Sequence, residues 1–390
     1  MIRQSAGSVR RWLTPLAALA AIGATGAIVG DSVRAQSSSA PVAEAASGSN
    51  WTLAKHRELV EIFRARIDPT EADNWTMPRT PWGEPDLQGF WTSDSVHGVP
   101  RERPEQFGLR AFLNETELAE REAREEQTRQ HAASASSPNT NQRDRFWRGN
   151  VTFGMTSMIV DPPDGRIPAL TPVAAVKPVI RGTWADAPHL HQGPEDFTNY
   201  DRCISRGVVG SILPVSYGNG NLILQTPGEV VISYEMVHDT RIVPVDGRPH
   251  LGPNLRQHLG DPRGRWEGDT LIVETTNLTD ETSIGGNGNG LRHSAAMRLT
   301  ERLTRLSEHY LLYEVTMDDP ETYAAPWTMV LPLVSPPGFV TLPYECHEAN
   351  GAVSYSLSGA REYDRAVEEA RAKGLPPPVP APTELPSRDE

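Results

Sequence analysis

Cysteine is scarce, because the chain of 390 residues contains only Cys203 and Cys346. So few thiols exclude a disulfide-dense scaffold and a zinc site built from four cysteines. In an oxidising compartment, two cysteines 143 residues apart are expected to form one disulfide. The alternative is a nucleophilic thiol in the Glu-Cys-His-Glu segment, which the ready oxidation of a free thiol in such a compartment disfavours.

Long hydrophobic runs are missing after the first 36 residues, so the sequence predicts no membrane span once the leader is removed. Residues 1–36 combine a basic start at Arg3, Arg10 and Arg11 with an apolar stretch and a small-residue cleavage site after Ala35. This pattern predicts a signal peptide, and therefore a periplasmic or secreted protein. Twin-arginine export, which two adjacent arginines allow, and a retained anchor are the alternatives.

Positive charge is also in short supply. The 37 basic residues stand against 50 acidic ones, and removal of the leader leaves 33 against 49, a net charge of −16. Such a surface repels nucleic acid and anionic membranes, so neither is an expected partner. The expected partner is a small neutral or cationic molecule. The alternative is that the acidity only keeps an exported protein soluble.

Several common catalytic signatures are absent. The chain has no G-x-S-x-G elbow, and its glycine-rich segment 285–290 lacks the Lys-Ser/Thr pair of a phosphate-binding loop. The histidines do not follow the H-E-x-x-H spacing of a zinc enzyme, so no metal or other cofactor is predicted. Zinc or iron is the alternative. Its ligands would be His238, His250, His347 and Glu348, or His189 and His191, which form a His-Leu-His pair in a proline-bounded loop.

Proline, by contrast, is abundant at 34 residues, against a usual share of about 5%. This argues against a helical bundle and favours short strands with long irregular connections. We therefore predict a mainly β fold, an antiparallel barrel or sandwich that includes a lipocalin-like barrel among its forms, with flanking N-terminal and C-terminal helices. The predicted organisation is a signal peptide at 1–36, a disordered tether at 37–50, a helical and irregular wrapping segment at 51–149, a β-rich domain with a polar pocket at 150–360, and a terminal helix with a proline-rich tail at 361–390.

Local patterns locate individual elements. Helices are predicted at 51–67, 113–133 and 359–373. Asn114 and Glu117 form a capping-box pattern at the start of the second helix. A Thr-Pro-Gly turn joins two alternating segments into a hairpin over 221–236. Residues 294–306 fit either a strand, by their period of two, or a helix, by their content of Arg, Leu and Glu.

The segment from Val230 to His250 starts as a strand and then gathers titratable side chains. Neighbouring residues on a regular strand point to opposite faces, so His238 and Asp239 can share a pocket only if a bulge or turn interrupts 236–240. Catalytic pairs are therefore expected to come from different strands. A disulfide at Cys346 would bring the residues that follow it towards this segment.

These considerations give the candidate site. The predicted catalytic residues are His238 as base, Asp239 or Glu348 as its orienter or acid, Arg241 as anion holder, and His347 as a second acid. The predicted substrate-binding residues are Glu235, His250, His293, Trp327 and Tyr217. The alternative is that the polar clusters are structural, because Asp-Gly-Arg and Asp-Pro-Arg-Gly-Arg segments are typical of turns held by Asp–Arg bridges.

Several motifs along the chain occur together in known proteins: RIPALTP, RCISRGV, EMVHDTRIVPVDGRPH, LGDPRGRWEGDTLIVET and CHEANGA. With them, the chain resembles a widespread group of secreted bacterial proteins of unassigned function, over most of its mature length. The resemblance implies an exported bacterial protein and supplies no reaction. The segment GRWEGDTLIVET is also similar to strands of lipocalin-type barrels, an analogy that concerns the fold alone.

The sequence thus predicts an exported, cofactor-independent acid–base enzyme, a lyase, isomerase or hydrolase acting on a small apolar or aromatic metabolite. Histidine titrates near neutral pH, and a buried carboxylate would orient its ring for proton transfer. One alternative is a periplasmic small-molecule binding protein without turnover. The second is a metal-dependent enzyme that uses the histidines.

Overall fold

The computed structural model describes residues 51–67, 71, 75–134, 153–177, 193–215, 217–286, 288, 290–347 and 350–379. The predicted signal peptide and tether, the His189–His191 pair and Glu348 lie outside these residues. None of the described helices has the length and apolar character that crossing a bilayer requires.

A large antiparallel sheet dominates the described residues. Its strands run in the spatial order β5-β4-β3-β1-β12-β11-β10-β7-β6, with β2 paired to β12 beside this path. A separate two-stranded sheet joins β8 to β9. The strands are β1 Gly89–Thr92, β2 Ile159–Asp161, β3 Gly220–Thr226, β4 Glu229–Tyr234, β5 Thr240–Pro244, β6 Asp261–Glu267, β7 Thr270–Thr276, β8 Ser283–Ile284, β9 Leu291–Arg292, β10 Arg298–Arg305, β11 Tyr310–Asp318 and β12 Trp327–Val334. The mainly β, antiparallel prediction is confirmed.

The central strands are buried on both faces. On one face, Leu303 lies opposite Leu271 and Tyr313, and Tyr313 lies opposite Leu331 on the next strand. All four side chains are at most 1% exposed, and each large apolar side chain buried in this way stabilises the fold by about 1.5–3 kcal/mol. Burial of this kind explains why residues 298–305 form a strand, so the helical alternative for 294–306 is wrong.

The opposite face of these strands receives the first helix through polar contacts. His56 lies between Glu314 and Thr304, with its Nδ1 2.8 Å from Glu314 Oε2 and its Nε2 2.8 Å from Thr304 Oγ1. Arg302 donates to the other oxygen of the same carboxylate at 2.6 Å. All of these groups are buried, and the hydrogen bonds among them fix the position of the helix on the sheet.

The described helices are α1 Leu53–Arg64, α2 Glu115–Ser134, α3 Pro172–Ala175, α4 Val208–Ile212 and α5 Ala352–Ala372. The predicted capping box of α2 is confirmed, because Asn114 Oδ1 accepts from the Glu117 amide and Glu117 Oε2 accepts from the Asn114 amide, both at 2.9 Å. Helix α5 begins seven residues before the predicted start at 359. Gly359 therefore lies inside the helix and does not mark its beginning.

The two edges of the large sheet, β5 and β6, approach each other without pairing. No backbone hydrogen bond joins them within the described part of the chain, so the sheet is not a closed barrel. Gly264 on β6 faces Val243 and Val245, and a Cβ at this glycine would lie 2.9 and 2.7 Å from their methyl groups. The edges thus meet through side-chain packing, and we call this junction the seam.

Candidate functional site

A turn separates β4 from β5 and meets the condition on which a shared pocket for His238 and Asp239 depends. A single 3-10 turn over Met236–His238 interrupts the chain, and Val237 and His238 both have left-handed backbone conformations, with φ of +65° and +52°. A β-branched residue rarely adopts this conformation, which costs on the order of 1–3 kcal/mol and is typical of functional segments. The turn removes Asp239 from the alternation of a regular strand and directs its carboxylate towards neighbouring segments.

The Asp239 carboxylate is held by the segment before α4. Its Oδ2 accepts a hydrogen bond from Ser205 Oγ at 2.6 Å, and the carboxylate also accepts from the backbone N–H of Arg206. Burial raises the pKa of Asp239, and the bond from Ser205 and the charge of His258 offset part of that rise. Asp239 is therefore a fixed, half-buried carboxyl group that takes up a proton more readily than an ordinary aspartate.

Asp239 borders a cleft of about 760 Å³ that lies along the seam. Strand β5 forms one wall and the segment leading into β6 forms the other. The lining residues are Ile204, Ser205, Glu229, Asp239, Thr240, Arg241, Ile242, Pro244, Arg248, Arg256, Gln257, His258, Leu259, Gly260, Asp261, Pro262, Arg263, Thr279 and Glu281. A site of this size accommodates a small metabolite, and this lining is rich in groups that exchange or bind protons.

His258 is the imidazole of the cleft. The preceding residue, Gln257, pairs with the chain at 277–279, accepting from the Thr279 amide at 3.1 Å. This pairing places His258 Nδ1 3.1 Å from Thr279 Oγ1 and 3.5 Å from Glu281 Oε2. The ring is consequently oriented by two polar partners while its charge acts on Asp239. An acid–base pair of carboxylate and imidazole therefore lines the cleft.

Gly260 permits the close approach on which this wall depends. Its φ is +67°, and a Cβ at this position would lie only 2.5 Å from the backbone oxygen of Thr276 at the end of β7. Any side chain would push the His258 segment away from β7, so a glycine is required here.

The predicted substrate-binding residue His250 lies at the border of the cleft. Its Nδ1 is 3.0 Å from Asp261 Oδ2, and Asp261 Oδ1 accepts from Arg263 Nη1 at 2.6 Å. Asp261 and Arg263 line the cleft, whereas His250 contacts it through Asp261. The arrangement shows that the Asp-Pro-Arg-Gly-Arg segment is held by an internal Asp–Arg bridge, which is the structural alternative drawn from the sequence.

Arg241 was predicted to hold an anion, but both terminal nitrogens of its guanidinium already donate hydrogen bonds inside the protein. Nη1 donates to Glu301 Oε1 at 2.8 Å and Nη2 to Glu301 Oε2 at 2.5 Å, and Tyr234 and Thr275 take further bonds. The side chains of Arg241 and Glu301 are 1% and 0% exposed. Although Arg241 borders the cleft, these contacts favour a structural role, because its charge is already paired inside the sheet.

Three other predicted side chains also have interior partners. Trp327 is fully buried and packs against Tyr323 at 5.6 Å between ring centroids. His293 is buried, contacts Thr282 Oγ1 at 2.9 Å, and has a pKa lowered by burial. Glu235 accepts from the amides of Gly220 and Leu342 at 2.9 and 3.0 Å, and burial raises its pKa. Each of these positions favours a structural role over substrate binding.

The disulfide between Cys203 and Cys346 is present, with the two Cα atoms 5.7 Å apart. It brings the segment at 344–346 to the β4–β5 turn, where the Tyr344 ring lies 6.4 Å from the His238 ring. The predicted meeting of His238 with His347 is not seen. Both imidazoles are exposed, and no hydrogen bond or ring contact joins them among the described residues.

A group of tyrosines gathers beside the disulfide. The hydroxyls of Tyr200 and Tyr344 are 3.2 Å apart, and the predicted ligand-binding residue Tyr217 stacks on Tyr344 with centroids 6.3 Å apart. Tyr217 remains 49% exposed, so the group reaches the surface. We call Tyr200, Tyr217 and Tyr344 the tyrosine cluster.

Sequence reasoning missed Ser205, His258 and the roles of Tyr200 and Tyr344. His258 stands in the polar segment HLGDPRGRWEGD, whose composition was a signal, but nothing local pairs it with Asp239. Within the described residues, no group of three or more His, Cys, Asp or Glu side chains is arranged to hold a metal ion. The zinc or iron alternative also involves His189, His191 and Glu348, which lie outside the described residues, so it stays untested.

Comparison with known proteins adds no relative. The resemblance to a group of exported bacterial proteins stays a prediction, and so does the membership that it implies. Any function assigned to the chain depends on the side chains of the cleft and of the tyrosine cluster. No family model, no curated protein and no solved structure matches this chain.

Proposed function

We propose that the protein is an exported, cofactor-independent acid–base enzyme that acts on a small organic molecule bound in the cleft at the seam. Asp239 is the general base, and His258 is the partner that returns or accepts the second proton. The observation that supports this most directly is a fixed carboxyl group with a raised pKa, in the wall of an open cleft that an oriented imidazole also lines.

The surroundings of Asp239 suit proton transfer. A carboxylate with a raised pKa is a stronger base than an ordinary one, since the ideal pKa of a catalytic group lies near the working pH. Ser205 and the backbone N–H of Arg206 fix its orientation, so little reorganisation is needed when the proton moves. His258 supplies the second titratable group at the opposite wall.

The lining refines the substrate class. The cleft is lined by both basic and acidic side chains. The basic ones are Arg248, Arg256 and Arg263, and the acidic ones include Glu229 and Glu281. This mixed lining favours a polar metabolite with hydrogen-bonding groups over the apolar or aromatic one that the sequence suggested. Lyases, isomerases and hydrolases of such molecules share one step, the removal of a proton by a positioned base.

Replacing Asp239 by asparagine is expected to slow turnover by about 10²- to 10⁴-fold, the usual contribution of a positioned general base. The protein is incubated in D₂O with a panel of small hydroxy acids, carbonyl compounds and esters, and proton NMR follows C–H exchange and product formation. Asp269→Asn is the matched control, because Asp269 is an exposed carboxylate paired with Arg79. The control is expected to keep full activity.

The fold of the Asp239→Asn variant is expected to be at least as stable as that of the wild type. Because the folded-state pKa of Asp239 lies above its unfolded value, the ionised carboxylate is disfavoured in the fold at neutral pH. This penalty shrinks as the pH falls below the folded-state pKa and is gone below the unfolded-state pKa. Asparagine removes the charge and keeps hydrogen-bonding capacity towards Ser205 Oγ. Wild-type turnover in Asp239→Asn would contradict the proposal, and so would ligands that bind the cleft without any being converted.

The pH profile gives an independent check. Since the base must be deprotonated, kcat/KM is expected to rise with pH through the raised pKa of Asp239. Ser205→Ala removes a hydrogen bond that favours the charged carboxylate, so the midpoint is expected to move up by about 0.5–1 pH unit. Ser358→Ala, which removes a hydroxyl on α5 that donates to the backbone oxygen of Ser354, is expected to leave the midpoint unchanged. If the midpoint of the kcat/KM profile is the same in Ser205→Ala as in the wild type, Asp239 is not the base.

A further inference from the structure

Arg206 is a buried cation whose side chain lacks an ionic partner. It is 1% exposed, and its Nη2 donates to the backbone oxygen of Leu213 at 3.3 Å. Its Nε and Nη1 have no hydrogen-bond partner in the described part of the chain, and no carboxylate lies within ion-pair distance there. Burial lowers the pKa of Arg206 to about 10, which leaves the guanidinium charged at neutral pH. A buried charge without a counter-ion is strongly disfavoured unless a ligand provides one.

The tyrosine cluster stands beside this cation. The Arg206 guanidinium carbon lies 5.8 Å from the centre of the Tyr200 ring, and all three tyrosines act on its charge. Burial raises the pKa of Tyr200 and of Tyr217, so these phenols stay protonated. They are therefore hydrogen-bond donors and do not serve as the missing anion.

The Asp239 carboxylate is also committed to other partners. Asp239 influences the charge of Arg206, yet it accepts from the Arg206 backbone N–H and from Ser205 Oγ. Gly286 closes the other side, because a Cβ there would lie 2.6 Å from a Val215 methyl group and 3.4 Å from Arg206 Nη2. The tyrosine cluster beside the cation reaches the surface at Tyr217, half of whose side chain is exposed.

We propose that Arg206 and the tyrosine cluster form a binding site for a small aromatic carboxylate. The carboxylate of the ligand would pair with the Arg206 guanidinium through its Nε and Nη1 donors. It would also accept hydrogen bonds from the tyrosine hydroxyls. The ring of the ligand would stack on Tyr217, which already lies nearly parallel to Tyr344 with an interplanar angle of 26°. This inference does not rest on the acid–base role of Asp239, since it requires binding and no turnover.

The test is isothermal titration calorimetry of the full chain with benzoate, and with benzyl alcohol as the uncharged counterpart. We expect benzoate to bind and benzyl alcohol to bind at least about tenfold more weakly, because a charge-assisted hydrogen bond contributes on the order of 1.5–3 kcal/mol. Tyr217→Phe, a change at a half-exposed hydroxyl that leaves the ring in place, is expected to weaken benzoate binding about three- to tenfold. Tyr355→Phe on α5, at a side chain 78% exposed, is the matched control and is expected to change nothing.

Arg206→Met removes the charge and keeps the length of the side chain, and it is expected to abolish benzoate binding. Because the charge has no ionic partner in the protein, this variant is also expected to unfold at a temperature no lower than the wild type. Equal affinity for benzoate and benzyl alcohol, or unchanged benzoate affinity in folded Arg206→Met, would overturn the proposal. Should Arg206→Met fail to fold, equal affinity for benzoate and benzyl alcohol still overturns the proposal, and so does unchanged benzoate affinity in Tyr217→Phe.

Discussion

Replacing Glu301 by leucine is expected to lower the free energy of unfolding by about 3–5 kcal/mol, the usual cost of leaving one partner of a buried ion pair unpaired. The two terminal nitrogens of Arg241, Nη1 and Nη2, donate to this carboxylate, and neither side chain is more than 1% exposed. The Tyr313 hydroxyl, which donates to Glu301 at 3.0 Å, would lose its acceptor as well. Urea unfolding followed by tryptophan fluorescence measures the change.

Removing both charges should restore most of that loss. In the double variant Arg241→Met and Glu301→Leu, no uncompensated charge remains, and apolar side chains fill a similar volume. Asp246→Ala is the matched control, since Asp246 pairs with Arg248 on the surface, where such a pair contributes little to stability. A double variant as unstable as Glu301→Leu alone would show that the loss comes from packing or from Tyr313, and not from the stranded charge.

Loss of the disulfide is expected to have the other large effect. For a closed loop of 143 residues, the chain-entropy model gives about 5 kcal/mol as the stabilisation lost in a Cys203→Ser, Cys346→Ser double variant. The bond also joins the segment before α4 to the segment that carries Tyr344, so the tyrosine cluster should lose its order. Urea unfolding of the double variant and of reduced wild type is expected to give the same lowered midpoint.

Two comparisons separate the contributions of the disulfide. If stability falls by less than about 1 kcal/mol, the loop-closure account is wrong for this chain. If stability falls while benzoate affinity is unchanged, the disulfide stabilises the fold without positioning Tyr344.

Local patterns in the sequence predicted the parts of the fold that depend on neighbouring residues. The Asn114–Glu117 capping box and the hairpin over 221–236 each follow from a few adjacent side chains. The turn before Asp239 was only a condition for a shared pocket, and no local pattern predicted it. The disulfide followed from having only two cysteines. Closed-barrel topology could not be decided in this way, because it depends on whether the first and last strands of the sheet pair.

The candidate site was predicted only in part for the same reason. Asp239 meets Ser205 and His258 because three distant segments converge, and no spacing in the sequence encodes that meeting. Arg241 was predicted to hold an anion, and it does border the cleft, but its guanidinium is paired with a buried carboxylate that no local pattern of the sequence locates. The inward position of Arg241 depends on Glu301, which lies 60 residues further along the chain.

The seam between β5 and β6 is expected to be more mobile than the paired strands of the sheet. Elsewhere, moving two strands apart breaks a ladder of hydrogen bonds, but no backbone ladder joins these two edges in the described residues, and the valine methyl groups that face Gly264 are part of the packing between them. Arg241 still ties β5 to Glu301 in the interior, so the movement is expected to be small. Amide protons at this junction should exchange with solvent through small excursions that leave β10 and β11 protected. A ligand would then enter through small local separations of β5 and β6, without a separate lid.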